Sequence, residues 1–190
     1  MRLAILGSTR GTNLTAVADV IARRKLRAEI EIVLSNKPDS GILERAREYR
    51  LRAQFIDPAG LSREEFDARV SAVLREYQVD LLVLIGYMRI LSHAFVSEWQ
   101  DKIINVHPSL LPAFAGKMDL EVHEAVLAAG VPETGCTVHY VTKEVDAGPI
   151  ILQKKCVVEP GELPASLKVR VQQLEGAALV EAIDLLAQKR

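Results

Sequence analysis

Short apolar runs alternate with longer amphipathic stretches along the first half of the chain, and this rhythm restricts the possible folds. Short apolar runs are typical of strands, whereas stretches with apolar residues at helical spacing are typical of helices. Strands separated by helices favour a parallel sheet with right-handed crossovers and helices on both faces. The predicted strands are Leu3–Leu6, Ile30–Leu34, Ala53–Ile56, Leu81–Ile85 and Ile103–Val106, and the predicted helices are Asn13–Arg24, Ile42–Tyr49 and Arg63–Tyr77.

The rhythm changes after Pro108. A loop with proline and glycine precedes a predicted helix at Val122–Ala129, two predicted strands follow at Gly135–Val141 and Ile150–Val158, and a helix ends the chain. We therefore predict an α/β, Rossmann-like three-layer fold with a mostly parallel sheet, helices on both faces and an antiparallel C-terminal strand pair. The length favours a single domain over residues 1–190.

The charge balance and the cysteines limit the possible partners and setting. The 24 Lys and Arg residues nearly balance the 25 Asp and Glu residues, so no general basic field is available for nucleic acid or a membrane. Cys136 and Cys156 lie in apolar stretches without ligand spacing, which predicts buried, reduced thiols. The opening Met1–Leu6 is too short for a signal peptide, and no apolar run reaches membrane-spanning length. The chain is therefore expected to be cytoplasmic.

The first predicted strand runs into Gly7-Ser8-Thr9-Arg10-Gly11-Thr12-Asn13, directly before the first predicted helix. Small residues there let backbone N–H groups approach an anion at the helix start, where the helix dipole assists. The glycine spacing matches neither the dinucleotide fingerprint nor the P-loop. From this segment alone, a phosphate site and an ordinary strand-to-helix turn are equally open.

The loop Gly86–Leu91 follows the fourth predicted strand, at the edge of the sheet where a ligand is expected. Its flexible backbone and the adaptable apolar side chains of Met88 and Leu91 suit a flat ring. The same features suit a loop that closes the core, which is the commoner arrangement. The segment alone leaves both interpretations open.

Asn105 and His107 lie two positions apart near the end of the fifth predicted strand. Residues with this spacing project to the same side of a strand, so both side chains can face one pocket. An amide can donate to a developing oxyanion, and a histidine can exchange a proton near neutral pH, which together suit acyl transfer. A lone histidine at a strand end is more often structural, and an asparagine there is often a turn former.

Asp146 lies in the polar turn between the two C-terminal predicted strands. If this turn reaches the end of the fifth strand, its carboxylate can stand beside His107 and stabilise the imidazolium. An acidic turn residue before glycine and proline is the structural alternative. The hypothesis of a catalytic group therefore requires that Asn105, His107 and Asp146 lie close together in the fold.

The other histidines carry weaker signals. His139 lies inside a predicted strand, which favours a hydrogen-bonded histidine in the core or behind the catalytic groups, and the residues around His93 and His123 are of the kind found at helix starts. The histidines and carboxylates lack the spacing of metal ligands, so no metal is expected. The sequence has no Gly-x-Ser-x-Gly elbow or cysteine nucleophile motif, which favours direct transfer between two bound substrates over an acyl-enzyme.

Five segments, taken in order, resemble the 10-formyltetrahydrofolate-dependent formyltransferase family over nearly the whole chain. The last two segments are specific to that family as a whole. The first two narrow the resemblance to its glycinamide ribonucleotide branch. The segments are Gly11-Thr12-Asn13-Leu14, Leu34-Ser35-Asn36-Lys37, Met88-Arg89-Ile90-Leu91, Asn105-Val106-His107-Pro108-Ser109-Leu110-Leu111-Pro112 and Asp146-Ala147-Gly148-Pro149.

The resemblance implies transfer of the formyl group of 10-formyltetrahydrofolate, the co-substrate, to the amine of glycinamide ribonucleotide in de novo purine biosynthesis. It implies Asn105, His107 and Asp146 as catalytic residues. It also implies a phosphate-binding half over residues 1–100 and a folate and catalytic half over residues 101–190, which are not independent units. The expected partners are these two small molecules, and the expected assembly is a monomer or homodimer.

The resemblance also assigns binding residues. Glu175 is similar to the residue that accepts the ribose hydroxyls, and Arg63 to the one that meets the glutamate tail of the folate. The ribonucleotide set is Gly11, Thr12, Asn13, Gln172 and Glu175, and the folate set is Arg63, Met88, Arg89, Ile90, Leu91, Asn105, Thr142, Lys143, Glu144, Val145 and Asp146.

The implied reaction is attack by the neutral amine on the formyl carbon, with the tetrahedral oxyanion held by Asn105 and protonated His107. Two alternatives share these groups: a formyltetrahydrofolate deformylase-like hydrolase and a non-catalytic nucleotide- or folate-binding module. The chain departs from the family at the loop Ala113–His123, which is longer and more charged, and at Cys136, where a small hydroxyl residue is usual. We expect altered substrate gating or product release from the loop and a packing variation at the cysteine.

Overall fold

The computed structural model describes residues 1–189, and within them seven strands alternate with six helices. Their order follows the predicted rhythm closely. The strands are β1 Arg2–Leu6, β2 Glu29–Ser35, β3 Ala53–Phe55, β4 Leu81–Leu84, β5 Ile103–His107, β6 Glu133–Tyr140 and β7 Ile150–Val157, and the helices are α1 Thr12–Ala22, α2 Gly41–Glu48, α3 Arg63–Glu76, α4 His93–Glu98, α5 Leu120–Ala128 and α6 Pro164–Gln188.

All seven strands form one sheet in the order β3-β2-β1-β4-β5-β6-β7. The first five strands pair in parallel, β6 runs antiparallel to β5, and β7 runs antiparallel to β6. The chain leaves β1 on one side and returns to its other side at β4, so the carboxyl ends of these strands meet beside a change in strand order. The predicted fold class is confirmed.

Alternate residues of β1 belong to two separate cores. Leu3 and Ile5 pack with residues of α1, α2, α5 and α6, whereas Ala4 and Leu6 pack with residues of α3 and α4. Each face of the sheet is therefore covered by helices, which explains why the central strands are apolar at successive positions. This arrangement gives the three layers that the sequence predicts.

Helix α6 runs for 25 residues and begins with a proline, whose fixed φ suits the first turn. Leu167, Val171 and Ala178 are fully buried at helical spacing, and they hold the helix on the core. The packing leaves Gln172 half-buried and Glu175 buried beside α1. Within residues 1–189, no helix is long and apolar enough to cross a membrane.

Two expectations need correction. Helix α4 is not among the predicted helices because it has only six residues, too few for a periodic pattern, and it depends on a cap in which Ser92 Oγ accepts the N–H of Phe95 at 3.2 Å. Cys136 is buried as predicted, but Cys156 is only partly buried. The reason is that Cys156 lies on β7, the edge strand of the sheet. Both thiols are free.

Candidate active site

Strand β5 places Asn105 and His107 on the same side, two residues apart. The neighbouring strand β4 ends at Leu84, which is the register partner of Asn105. Strand β5 therefore extends past its parallel neighbour and presents its last residues at the ligand-binding edge of the sheet. His107 is 4% exposed, and Asn105 is half-buried.

Asp146 reaches this edge from a turn that starts at the opposite end of β5. Strand β6 runs antiparallel to β5, so the chain leaves β6 beside Ile104 and then folds back across the sheet. Asp146 has a φ of 53°, a conformation that aspartate tolerates better than most residues. Gly148 lies so close to the carbonyl of Tyr140 that a Cβ would clash, which explains the glycine in this turn.

The carboxylate of Asp146 meets His107 directly. Oδ2 of Asp146 lies 3.3 Å from Nδ1 of His107 and accepts the N–H of Gly116 at 2.9 Å. The other ring nitrogen of His107, Nε2, lies 3.2 Å from the carbonyl oxygen of Phe114. Because both nitrogens face oxygen acceptors, the doubly protonated ring satisfies both contacts. The geometry thus suits an imidazolium that can donate toward a negative oxygen.

His139 also belongs to this group, although the sequence indicates only a supporting role. It is the register partner of Asn105 across the β5 and β6 pair. Its Nε2 lies 3.3 Å from Nδ2 of Asn105 and 3.6 Å from Oδ1 of Asp146, and its Nδ1 lies 2.9 Å from the carbonyl of Tyr140. Burial lowers the pKa of His139. A neutral ring that donates from Nδ1 to Tyr140 can accept the amide N–H of Asn105 at Nε2.

The predicted phosphate segment forms a tight turn into α1. Gly11 is the N-cap residue with a φ of 68°, and a Cβ at this position would clash with Ile42. The glycine is therefore required by both the conformation and the close packing. Thr12 and Asn13 open α1, where the first N–H groups of a helix lack helical partners.

Asn13 links this turn to α6. Its Nδ2 donates to Oε2 of Glu175 at 2.6 Å, and both side chains are more than nine-tenths buried. Burial raises the pKa of Glu175, and the hydrogen bond from Asn13 opposes that shift. Gln172 lies one turn earlier on the same helix and is half-buried. The structure thus brings together the buried members of the predicted ribonucleotide set.

The Leu34-Ser35-Asn36-Lys37 segment connects the two predicted binding loops. Ser8 Oγ donates to Oδ1 of Asn36 at 2.6 Å and accepts the N–H of Met88 at 3.0 Å. Ser35 Oγ accepts the N–H of Lys37 at 3.1 Å and the hydroxyl of Ser40 at 2.8 Å. Ser8 therefore joins the phosphate turn directly to the loop after β4, and Asn36 of this segment holds the hydroxyl of Ser8.

The predicted folate residues differ in exposure. Leu91 is buried in the core, as the core-closing interpretation expects, whereas Met88 and Ile90 are exposed. The guanidinium carbon of Arg89 lies 4.3 Å from the centre of the Phe66 ring, so this side chain packs on α3 and leaves its backbone for a ligand. Arg63 is exposed at the first turn of α3.

The remaining predicted folate residues lie on the turn after β6. Lys143, Glu144 and Val145 are exposed, and Thr142 is half-buried. Thr142 Oγ1 donates to the carbonyl of Glu144 at 3.1 Å, which shapes the turn before Asp146. Asp146 itself is the member of this turn that contacts the catalytic group.

Several contacts hold the loop before α5, among them the contact of the Phe114 carbonyl with His107. The N–H of Gly116 donates to Asp146, and Lys168 on α6 donates to Asp119. The loop therefore borders the site directly, which is where its unusual length and charge were expected to act. At Cys136, burial raises the pKa of the thiol to about 12, consistent with a packing role for an unreactive side chain.

The other two histidines lie apart from the central contacts. His93 is exposed at the start of α4, and His123 is buried on α5. Burial lowers the pKa of His123 to about 4. Among residues 1–189, no group of three or more His, Cys, Asp and Glu side chains is arranged to hold a metal ion.

Comparison with known proteins shows extensive similarity. A formyl transferase family model matches residues 1–183. The trifunctional purine biosynthetic protein adenosine-3 of Gallus gallus is 44% identical over 188 residues, which cover 98% of this chain but 18% of that protein. The phosphoribosylglycinamide formyltransferase of Escherichia coli (strain K12) is 39% identical over 191 residues, which cover 100% of this chain and 89% of that protein.

Solved structures show the same relationship. Glycinamide ribonucleotide transformylase 1 from Symbiobacterium toebii is 41% identical and superposes with a TM-score of 0.95, covering 100% of this chain and 89% of that chain. The phosphoribosylglycinamide formyltransferase from Bacillus halodurans is 33% identical, with a TM-score of 0.92 and coverage of 100% and 96%. The family match over almost the whole sequence and these full-length similarities lead to one conclusion: this chain belongs to the formyl transferase family.

Proposed function

We propose that this chain transfers the formyl group of 10-formyltetrahydrofolate to the amine of glycinamide ribonucleotide, N1-(5-phospho-β-D-ribosyl)glycinamide, as a step of de novo purine biosynthesis. The observation that carries the proposal is the group at the end of β5, in which Asp146 contacts His107 and His139 links Asp146 to Asn105. Family membership and the names of the similar proteins support the choice of donor and acceptor.

The proposed reaction begins with attack of the neutral amine on the formyl carbon. The new carbon–nitrogen bond forms as the formyl oxygen takes the electron pair and becomes an oxyanion. Asn105 Nδ2 and His107 Nε2 are the donors that would stabilise this oxygen. The intermediate then collapses, the bond from the formyl carbon to the folate nitrogen breaks, and the proton lost by the attacking amine is passed to that leaving nitrogen.

Asp146 would serve two roles in this scheme. Its contact with Nδ1 of His107 stabilises the protonated ring, and its contact with the N–H of Gly116 fixes the carboxylate in place. It can also receive a proton from the attacking amine through water. No nucleophilic side chain is needed, because the amine attacks directly.

The ribonucleotide would lie across the start of α1 and the middle of α6. Backbone N–H groups at Gly11, Thr12 and Asn13, at the start of α1, would receive the phosphate with help from the helix dipole. The carboxylate of Glu175 would accept the ribose hydroxyls, and Gln172 lies one turn away on the same face of α6. Asn13 connects the two parts by its hydrogen bond to Glu175.

The folate would lie across the loop after β4 and the turn after β6. Met88, Ile90 and Val145 are exposed apolar residues, at 39%, 58% and 56% of their full area. Exposed apolar side chains on two loops beside a polar catalytic group suit a flat ring system with a reactive edge. Arg63 would meet the carboxylates of the glutamate tail.

The proposal includes the remaining features predicted from the sequence. The phosphate-binding half, residues 1–100, and the folate and catalytic half, residues 101–190, would act as one unit through the shared sheet. The enzyme would be cytoplasmic, would act as a monomer or homodimer, and would need no metal.

The test is a spectrophotometric assay with 10-formyltetrahydrofolate, with and without glycinamide ribonucleotide. We expect release of tetrahydrofolate only when the ribonucleotide is present, together with one formylated product per folate consumed. Release without the amine would show a deformylase-like hydrolase instead. Binding of both ligands without turnover would show a non-catalytic module.

A further inference from the structure

A row of polar side chains on one face of α3 contacts α4. Asp67, Ser71 and Arg75 are spaced four residues apart, which places them on one stripe of the helix. Asp67 Oδ2 accepts the N–H of Ser92 at 2.6 Å. Further along, Ser71 Oγ accepts the indole N–H of Trp99 at 2.8 Å. The row therefore ties α3 to the segment that contains α4.

The third contact of this row lies at the surface. Arg75 donates from Nε and Nη2 to Oε1 of Glu98 at 2.9 and 2.6 Å. Ser71 Oγ reaches Oε2 of the same carboxylate at 3.1 Å. This end of the row is more exposed than the end that holds Asp67, so its contribution to stability is smaller.

Asp67 is an unusual residue at such a depth. It is 2% exposed, and burial raises the pKa of its carboxyl group, while the hydrogen bonds with Ser92 and the charge of Arg89 oppose that shift. Arg89 reaches this place by packing its guanidinium over the ring of Phe66, the residue that precedes Asp67. A buried carboxylate is costly unless it has such partners.

Three buried polar atoms around this point have no hydrogen-bond partner in the part of the chain that the structure describes. They are Oδ1 of Asp67, the hydroxyl of Tyr87 and Nε of Arg89. Tyr87 lines the same small cavity as Phe66, the residue before Asp67, and the charges of Asp67 and Arg89 shift the pKa of Tyr87 in opposite directions. Two of the three belong to the loop Gly86–Leu91, so Asp67 lies beneath the loop that carries the proposed folate contacts.

The hydrogen bond between Asp67 and Ser92 joins two segments that lie beside proposed folate contacts. Arg63, the proposed partner of the glutamate tail, lies one turn before Asp67 on α3. Ser92, whose N–H Asp67 accepts, directly follows the loop Gly86–Leu91. The single carboxylate of Asp67 therefore connects the two separate segments that would hold opposite ends of the folate.

We propose that Asp67 is a positioning residue for folate binding, which acts by fixing the loop Gly86–Leu91 against α3 through the N–H of Ser92 and the charge of Arg89. This inference rests on the proposed function, because it concerns the folate site. Asp67 does not need to touch the folate, and its loss leaves the ribonucleotide site at α1 and α6 intact.

The first test is Asp67→Asn, which keeps the size and one acceptor oxygen but removes the charge. The probes are 5-formyltetrahydrofolate, an isomer of the donor, and glycinamide ribonucleotide, each titrated by calorimetry. We expect the Kd for the folate to rise about tenfold, since hydrogen bonds to charged groups are the stronger ones, and the Kd for the ribonucleotide to change less than about twofold. Hydrogen exchange of residues 86–92 should become faster.

The matched control is Ser71→Ala, which removes the next contact of the same row away from the loop. It should lower the unfolding midpoint without changing the Kd for the folate. If Asp67→Asn is folded and binds both ligands as the wild type does, the proposal is wrong. Equal weakening of both ligands would also overturn it, because that result indicates a general loss of structure.

A second pair of variants tests the same contact without changing Asp67. Ser92 has a φ of −70°, which proline can adopt. Ser92→Pro removes the N–H that Asp67 accepts together with the hydroxyl, whereas Ser92→Ala keeps that N–H and removes only the hydroxyl, which caps α4 and also hydrogen-bonds Asp67. Selective weakening of folate binding in Ser92→Pro alone supports the proposal, and equal behaviour of the two variants contradicts it. If Asp67→Asn does not fold, the comparison of Ser92→Pro with Ser92→Ala still tests the positioning role of Asp67.

Failure of the proposed function would give a different result. A wild-type protein that does not bind 5-formyltetrahydrofolate or transfer a formyl group contradicts the proposed function itself. Hydrogen exchange of residues 86–92 then decides the positioning role alone. Faster exchange in Asp67→Asn, with wild-type exchange in Ser71→Ala, supports it, and unchanged exchange overturns it.

Discussion

Oδ2 of Asp146 lies 3.3 Å from Nδ1 of His107, and the two side chains are only 11% and 4% exposed. They come from distant parts of the chain, since Asp146 lies on the turn after β6 and His107 ends β5. The contact is largely shielded from water, so the charge of the carboxylate acts on the ring with little screening. The carboxylate of Asp146 is therefore expected to matter for the charge of the His107 ring.

Asp146→Asn should lower kcat at least about a hundredfold, because general acid and base groups typically contribute that much. The asparagine keeps the shape of the side chain but does not stabilise a protonated His107. Asp101→Asn is the matched control, since Asp101 also has a positive φ, 58°, but is exposed and outside the site. Steady-state kinetics measure both variants, and a kcat within threefold of wild type for Asp146→Asn would remove Asp146 from the mechanism.

His107→Asn should lower kcat about a hundred- to thousandfold, the usual effect of removing one donor to an oxyanion. The Michaelis constants for both substrates should change little, because the missing interaction forms in the transition state. His93→Asn, at an exposed histidine, should behave as wild type. Equal kinetics for the two variants would contradict the role of His107.

His139→Phe should lower kcat about fivefold, because it removes the acceptor that orients the amide of Asn105, a hydrogen bond with a typical net contribution of about 1 kcal/mol. His139→Gln offers an amide oxygen in place of Nε2 and should recover part of the loss. The comparison of kcat in these two variants is the measurement. If both variants are folded and His139→Gln recovers none of the lost kcat, His139 does not act by accepting the amide N–H of Asn105.

Glu175→Gln should raise the Michaelis constant for the ribonucleotide about tenfold and leave that for the folate unchanged. Removal of the charge weakens the acceptor for ribose hydroxyls, and charged hydrogen bonds contribute about 1.5–3 kcal/mol. Gln173→Ala, an exposed position on the same helix, is the control. If Glu175→Gln instead changed only the Michaelis constant for the folate, Glu175 would belong to the folate site and not to the ribonucleotide site.

His123 should make stability depend on pH. Burial lowers its pKa to about 4, so the folded protein keeps the ring neutral while the unfolded chain takes up a proton below its ordinary pKa of about 6.5. Stability is therefore lost as the pH falls from about 6.5 towards 4, and this group alone lowers the free energy of unfolding by about 2 kcal/mol between pH 7 and pH 5. The variant His123→Gln should lack that component in denaturant titrations. If the free energy of unfolding depended on pH in the same way in the wild type and in His123→Gln, His123 would not be the source of this pH dependence.

Much of the fold follows from local patterns in the sequence. The strands at Leu3–Leu6 and Leu81–Ile85 are buried apolar runs, and their periodicity and spacing suffice to predict the parallel sheet. Helix α4 could not be predicted, because six residues with a serine cap give no periodic signal. The exposure of Cys156 depends on which strand forms the sheet edge, and strand order is not a local property.

The candidate site is predictable where its members are close in sequence. The shared side of Asn105 and His107 follows from the two-residue spacing on one strand. The contact of His139 with Asn105 depends on the register between β5 and β6, and the reach of Asp146 depends on how the next turn folds back. Asp67 gives no sequence signal, because a single aspartate on a helix looks like a solvated residue.

The carbonyl of Phe114 has a consequence for how the site would discriminate between oxygens. This carbonyl already lies 3.2 Å from Nε2 of His107. A neutral formyl oxygen that displaces it exchanges one carbonyl acceptor for another, with little net gain. An oxyanion gains much more, because charge-assisted hydrogen bonds are about twice as strong. The Phe114 carbonyl would thus compete with the formyl oxygen for Nε2 of His107, and only a charged oxygen would displace it with a clear gain in free energy. The hydrogen bond from His107 would therefore stabilise the transition state more than the bound substrate.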